Sequence, residues 1–372
     1  MRIFNCRQLL NLANMKQYFC RLVLAILLVS VAACRNEFYS LDDFSRVKKI
    51  DTHMHLNSEQ TVLAEQARAD NFMLLTVNVD VPAYPTLEEQ KRYALRQISQ
   101  FPQEVNFLTA FTLENWESPD WAPKTIESLK TAFNEGALGI KLWKNIGMVY
   151  KDSADQFIMI DDPKFDPVIK YIIGQDKTIM GHLGEPKNCW LPLEQMTVNN
   201  DREYFKNHPE YHMFLHPEFP SYEDQINARD RFLERHPDMR FVGAHLGSLE
   251  WDVDELAKRL ERFPNMAVDV AARVSHMQHQ TQADRERVRA FLIKYQDRII
   301  YATDSGISTT SDTLQAKKDL HDTWMRHWKF FVTDEIMSAE EVAGEFQGLK
   351  LPREVIDKIY HDNAVRWFKI PG

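Results

Sequence analysis

Short apolar runs of strand length recur along this chain, and amphipathic stretches with helical spacing lie between them. The runs cover 47–55, 72–77, 105–109, 138–141, 177–181, 240–244, 266–270 and 298–303. Strands alternating with helices in this way predict an α/β fold in which a parallel sheet closes as a (β/α)8 TIM barrel. Such a barrel gathers its chemistry at the carboxyl ends of the strands. His53 and His55 close the first run, and His182, His245 and Asp304 follow the fifth, sixth and eighth, so residues far apart in sequence meet at one mouth. His53 and His55 stand two apart on a strand and therefore point the same way. Two other features flank the pattern. A long insertion from Pro186 to Pro220, between the fifth strand and its helix, reads as a lid or a subunit contact. Helical patterns from Ser338 onward, including Pro352 to Lys369, are expected to pack against the barrel.

The start of the chain has another character. Lys16 and Arg21 precede an apolar run from Leu22 to Ala33, which is short for a bilayer span but suits the core of a signal peptide. It ends in Val31-Ala32-Ala33-Cys34, which resembles a bacterial lipobox whose cysteine becomes the lipidated first residue. The expected organisation is a lipoprotein signal over 1–33, with Met15 a natural start, a tether over 34–46, and one barrel domain over 47–372. A plain secretory signal or an anchor helix is the alternative. The expected location is a lipid-anchored one, on the periplasmic or cell-surface side of a bacterial membrane. With Cys34 lipidated, Cys189 is the one cysteine of the mature chain, so no intramolecular disulfide is available. The net charge of −9 comes from interspersed acidic and basic residues and offers no basic stripe for nucleic acid.

Several stretches carry a family resemblance. They are Ile50-Asp51-Thr52-His53-Met54-His55, Gly139-Ile140-Lys141-Leu142, Asp161-Asp162-Pro163-Lys164-Phe165-Asp166-Pro167, Gly181-His182-Leu183-Gly184, Phe241-Val242-Gly243-Ala244-His245-Leu246-Gly247, Ala302-Thr303-Asp304 and Asn363-Ala364-Val365-Arg366-Trp367-Phe368. In this order the chain resembles the amidohydrolase superfamily, in its amidohydrolase-related, decarboxylase-like branch. The resemblance implies that His53, His55, His182 and Asp304 hold a divalent ion, zinc foremost, with a position left for water. It also implies that Asp304 takes a proton from that water and returns it to the leaving group. His245 would hold a second ion or stand free to polarise water or the substrate carbonyl. Lys141, if carboxylated, would bridge two ions. One ion is favoured over two, and Lys141-Leu142-Trp143-Lys144-Asn145 departs from the Lys-Leu-His-Pro common in the branch. An ordinary pairing of Lys141 with Asp304 or Glu185 is the simpler alternative.

Around this centre, Arg273 is the candidate anchor for a substrate carboxylate, because guanidinium makes paired bonds to that group. Asp269 is the alternative partner for Arg273. Glu185, Trp143 and Trp190 are further candidates for substrate contact, although Glu185 could equally sit in an ion pair and the indoles could simply pack. His208, His212 and His216 read as loop anchors. Asp51 is expected to share a strand face with His53 and to orient the site. The expected activity is metal-dependent hydrolysis of a small lactone, ester or cyclic amide. Non-oxidative decarboxylation or hydration of a small carboxylic acid is the alternative, and a ligand-binding lipoprotein without activity is disfavoured. The partners expected are a small molecule and the membrane, with a homo-oligomer left open.

Overall fold

The computed structural model describes residues 37–82 and 84–371. The leader expected over 1–33 and Cys34 lie outside the described residues. Strands form at all the expected places: β1 (Lys49–Asn57), β2 (Phe72–Val77), β3 (Val105–Leu108), β4 (Gly139–Leu142), β5 (Thr178–Gly181), β6 (Phe241–Gly243), β7 (Met266–Asp269) and β8 (Ile299–Ile300). The last of these breaks and resumes as β9 (Ser305–Ser308), so that β8 pairs with β7 while β9 pairs with β1. Two parallel sheets result, β3-β2-β1-β9 and β4-β5-β6-β7-β8. Backbone bonds join them at both seams. Lys141 N donates to Thr109 O at 2.7 Å on one side, and Asp304 N donates to His53 O at 2.9 Å on the other. The strands therefore run round a ring, a (β/α)8 TIM barrel.

Helices α1 (Val62–Ala69), α2 (Leu87–Gln100), α3 (Trp121–Asn134) and α4 (Asp166–Gly174) follow the first four strands. After β5 comes the insertion with its own helix α5 (Asn199–Asn207), and α6 (Tyr222–Arg235), α7 (Val253–Arg262), α8 (Val274–Lys294) and α9 (Thr313–Val332) complete the outer layer. Reciprocal bonds cap α2 through Thr86 and Glu89, and α6 through Ser221 and Asp224.

Alternation along the strands divides two cores. Inside the ring, Ile50, Leu75, Leu108, Met180, Val242 and Ile300 pack together, and Trp367 and Phe368 join them. The latter belong to α11 (Asn363–Phe368), which follows the short α10 (Arg353–Asp357). It plugs the end of the ring where strands begin, since Asn363 Nδ2 donates to Ile299 O at 2.7 Å. Between ring and helices lies the larger core, where Phe72 stacks on Trp324 with ring centres 3.9 Å apart.

Three expectations need correction. The pairing of β1 with β2 slips between Asp51 and Met54. Ile50 faces the inner core, Asp51 reaches outward to Trp324 Nε1 at 2.9 Å, and His53 points inward again. A bulge thus breaks the period of two, and Asp51 and His53 occupy opposite faces. The segment from Ser338 is not helical but lies in an antiparallel hairpin, β10 (Ile336–Ala339) with β11 (Val342–Gln347). Val342 and Phe346, both buried, mimic a helical stripe by their spacing, while Gly344 at φ +86° turns the backbone away from the helix. The insertion, which the sequence offers as a long loop, is not plain loop either: α5 and several 3-10 turns fold over Met148, Cys189, Met196, Phe205 and Met213.

The close approach of β4 to β5 leaves no room for a side chain at Gly139. A Cβ on Gly139 would meet the backbone oxygen of Thr178 at 2.3 Å, so Gly139→Ala must push β4 from β5. It is expected to destabilise the fold by about 1–3 kcal/mol or more, read as a lower midpoint in urea unfolding.

Candidate metal centre

Buried imidazoles meet a carboxylate at the carboxyl ends of the strands. His53 is fully buried on β1, with Nδ1 on Asp269 Oδ2 at 3.0 Å. Its Nε2 lies 2.9 Å from Lys141 Nζ and 3.3 Å from Asp304 Oδ1. His55 Nε2 reaches the same Asp304 oxygen at 3.1 Å. His245 enters from the end of β6, its amide on Asp269 Oδ1 at 2.7 Å and its Nδ1 on the carbonyl of Ala271 at 2.9 Å. Both His245 and Asp304 have positive φ, +58° and +68°, a conformation that costs energy for residues with a Cβ and re-aims each side chain where its strand ends.

A carboxylate and a carbonyl can only accept, so His53 and His245 donate from Nδ1 and leave Nε2 bare when neutral. Burial holds both below the usual imidazole range, with Lys141 adding to the effect at His53 and His182 at His245. Burial alone would raise Asp304, but His53, His245 and His55 hold its carboxyl well below the usual range. Lys141 is pushed down to about 8 by burial, against the pull of Asp269 and Asp304.

This donor set fits a divalent ion. Ligand atoms of His53, His245 and Asp304 lie within 4.8 Å of one another. His182 stands beside them, its ring centre 4.2 Å from that of His245. Its buried Nε2 has no hydrogen bond, being 3.4 Å from Glu185 Oε2 without suitable geometry. Burial pushes the His182 imidazole down to about 4, against the pull of Glu185. Neutral imidazoles with a carboxylate are a usual zinc set.

A cavity of about 710 Å³ opens above the cluster. Trp143, Glu185 and Arg273 line it, together with Tyr84, Tyr204 and Tyr211. Trp190 stands outside this wall and packs on Tyr222, ring centres 5.5 Å apart. Glu185 forms a buried ion pair with Lys144, and this attraction outweighs burial to hold its carboxyl well below the usual range. Lys141 therefore finds His53 and Met180 Sδ rather than Asp304 or Glu185 as hydrogen-bond partners. Arg273 lies 3.9 Å from Asp201 of α5, whereas Asp269 turns to the histidines. His212 and His216 anchor the insertion through the carbonyls of Leu191 and Pro209, and His208 lines the cavity rim beside Glu210. Sequence reading missed the roles of Asp269, Lys144, Asp201, Tyr84 and Tyr204. For Asp269 a signal existed, a carboxylate ending a strand of the ring.

A family model described as Amidohydrolase matches residues 50–370. The chain belongs to the amidohydrolase family. Among solved structures, an uncharacterised TIM-barrel protein from Bordetella bronchiseptica is 13% identical over 87% of this chain and 99% of that one, with a TM-score of 0.48. A 2,6-dihydroxybenzoate decarboxylase is 16% identical over 88% of this amidohydrolase and 100% of that chain, TM-score 0.48. A putative 2-pyrone-4,6-dicarboxylic acid hydrolase from Pseudomonas putida is 12% identical over 87% and 98%, TM-score 0.43. No curated protein matches the chain.

The Lys144–Glu185 pair gives a stability prediction. Both side chains are buried, so Glu185→Ala leaves an ammonium without its counter-charge. It is expected to cost about 3–5 kcal/mol in urea unfolding, whereas replacing both residues by apolar ones should recover most of that loss.

Proposed function

We propose that this amidohydrolase is a metal-dependent hydrolase of a small carbonyl compound, a lactone, ester or cyclic amide. The observation that carries the reading is the convergence of bare Nε2 atoms from His53 and His245 on the Asp304 carboxylate at the floor of the cavity. His53, His245 and Asp304 would hold the ion, which puts His245 among the ligands where the resemblance implied His55 and His182, and these two stand within the same group of rings. When bound, a divalent ion there acidifies water and polarises a carbonyl.

The chain's own residues supply the rest. Asp304 stays ionised among the imidazoles and can take a proton at Oδ from the attacking water, then return it to the departing atom. His55, bonded to Asp304 Oδ1, holds that carboxylate in place. Trp143, Tyr84, Tyr204 and Tyr211 give the cavity flat walls with hydroxyl groups, suited to orienting a small ring and limiting access of water.

A second reading draws on Arg273. Its Nε is buried without a partner in the wall of the cavity, which favours a substrate bearing a carboxylate and so decarboxylation or hydration of a small acid. Screening lactones, esters and cyclic amides beside carboxylic acids separates the two. Hydrolysis of neutral substrates with little effect of Arg273→Ala supports the first reading. Turnover of acids alone, lost in Arg273→Ala, replaces it by the second.

Removing metal with a chelator is expected to abolish turnover and zinc to restore it. Asp304→Asn should lower kcat by about 10²–10⁴-fold. Activity that persists in either case contradicts the proposal. Elemental analysis should give one ion per chain in both wild type and Lys141→Ala, and two ions falling to one or none in the variant would instead mean a lysine bridge.

A further inference from the structure

Asp269 lies at the end of β7, fully buried, and touches the site through both of its oxygens. Oδ2 takes the proton of His53 Nδ1 at 3.0 Å. Oδ1 accepts the amide of His245 at 2.7 Å and the amide of Ala271 at 3.1 Å. The second of these bonds matters beyond its own strength, because the carbonyl of Ala271 is the acceptor for His245 Nδ1 at 2.9 Å. One side chain therefore acts on both imidazoles, directly on His53 and through a held loop on His245. Arg273 is not its partner, since that guanidinium faces Ala272 O and Asp201.

We infer that Asp269 is the positioning residue of the centre, fixing the Nδ1–H tautomer of His53 and the seat of His245 so that both present Nε2 to a divalent ion. The inference deepens the metal-dependent reading above and rests on it for the ion. The tautomer itself stands on the hydrogen bonds alone. An asparagine at this position separates shape from charge. Its Oδ1 can still serve the amides of His245 and Ala271, which leaves Nδ2 facing His53 Nδ1. Turning the amide round would set a donor against two backbone N–H groups, which is the costlier choice. A ring nitrogen that meets N–H must be bare, so the His53 proton moves to Nε2, where it closes the lone pair that faces Asp304 and turns away Lys141 Nζ, the donor to that lone pair in the native chain. The same logic makes an aspartate behind a catalytic histidine irreplaceable by asparagine elsewhere.

The test uses the full chain with 15N-labelled histidine. Long-range nitrogen–proton spectra of the metal-free wild type should show His53 and His245 as Nδ1–H tautomers, and Asp269→Asn should convert His53 to Nε2–H while His245 keeps its form. Zinc affinity, read by competition with a chromogenic chelator, should fall about 10–100-fold in Asp269→Asn and recover in part in Asp269→Glu. A thermal melt of the metal-free protein close to that of wild type would show that the loss lies in the site and not in folding. The inference is overturned by an Nε2–H tautomer at His53 in the wild type, by a tautomer unmoved in Asp269→Asn, or by unchanged zinc affinity. If the variant fails to fold, the wild-type tautomers still decide. A wild type that takes up no zinc overturns the metal reading instead, and hydrolysis lost with zinc affinity and tautomers as expected overturns only the reaction assigned.

Discussion

The centre depends on how buried imidazoles are hydrogen-bonded on the side away from their shared point. A polar ring out of water is costly unless its N–H finds an acceptor. Asp269 and the carbonyl of Ala271 meet that demand for His53 and His245, and in doing so they decide which nitrogen is left bare. On the inner side each ring keeps a lone pair beside the Asp304 carboxylate, that of His53 taken by Lys141 Nζ at 2.9 Å, and a cation would satisfy both. The positive φ values of His245 and Asp304 belong to the same arrangement, because local strain is tolerated where surrounding bonds hold it. Asp51 supplies some of that holding from the outer face: its carboxylate takes Thr303 N and Oγ1 at 3.0 and 2.7 Å, next to Asp304.

Around this point the charges of the wall are organised in pairs. Lys144 with Glu185 joins the loops after β4 and β5, and Arg273 near Asp201 links the end of β7 to the insertion, so the rim of the cavity is fastened by interactions that are strong only when dry. His276 adds to this fastening, Nε2 lying 3.0 Å from Asp201 Oδ2. The aromatic side chains of Tyr204, Phe205 and Tyr211 then come from the insertion and Trp143 from the loop after β4, which makes the shape of the cavity a property of loops on a rigid ring.

Much of the ring was legible in the sequence because strands buried on both faces show as continuous apolar runs, and the residues that end them are then placed by topology. That is why His53, His55, His182, His245 and Asp304 could be named together. The local inversions were not legible. The bulge in β1 moves Asp51 to the outer face without changing the apolar pattern, and the spacing of Val342 and Phe346 imitates a helix in a hairpin. Partners across the mouth were also out of reach. Whether Asp269 meets Arg273 or His53, or Lys141 meets a carboxylate or an imidazole, depends on side-chain direction at adjacent strands rather than on spacing. Trp190 looked like a wall residue for want of the fold of its insertion, which turns it toward Tyr222.

Anomalous diffraction at the zinc edge, from crystals of the metal-loaded chain, bears most directly on the reading of this cluster as a metal centre. An ion within coordination distance of His53 Nε2, His245 Nε2 and Asp304 is the result expected. Full zinc loading with no anomalous peak among these side chains, or a peak held by other residues, would contradict it.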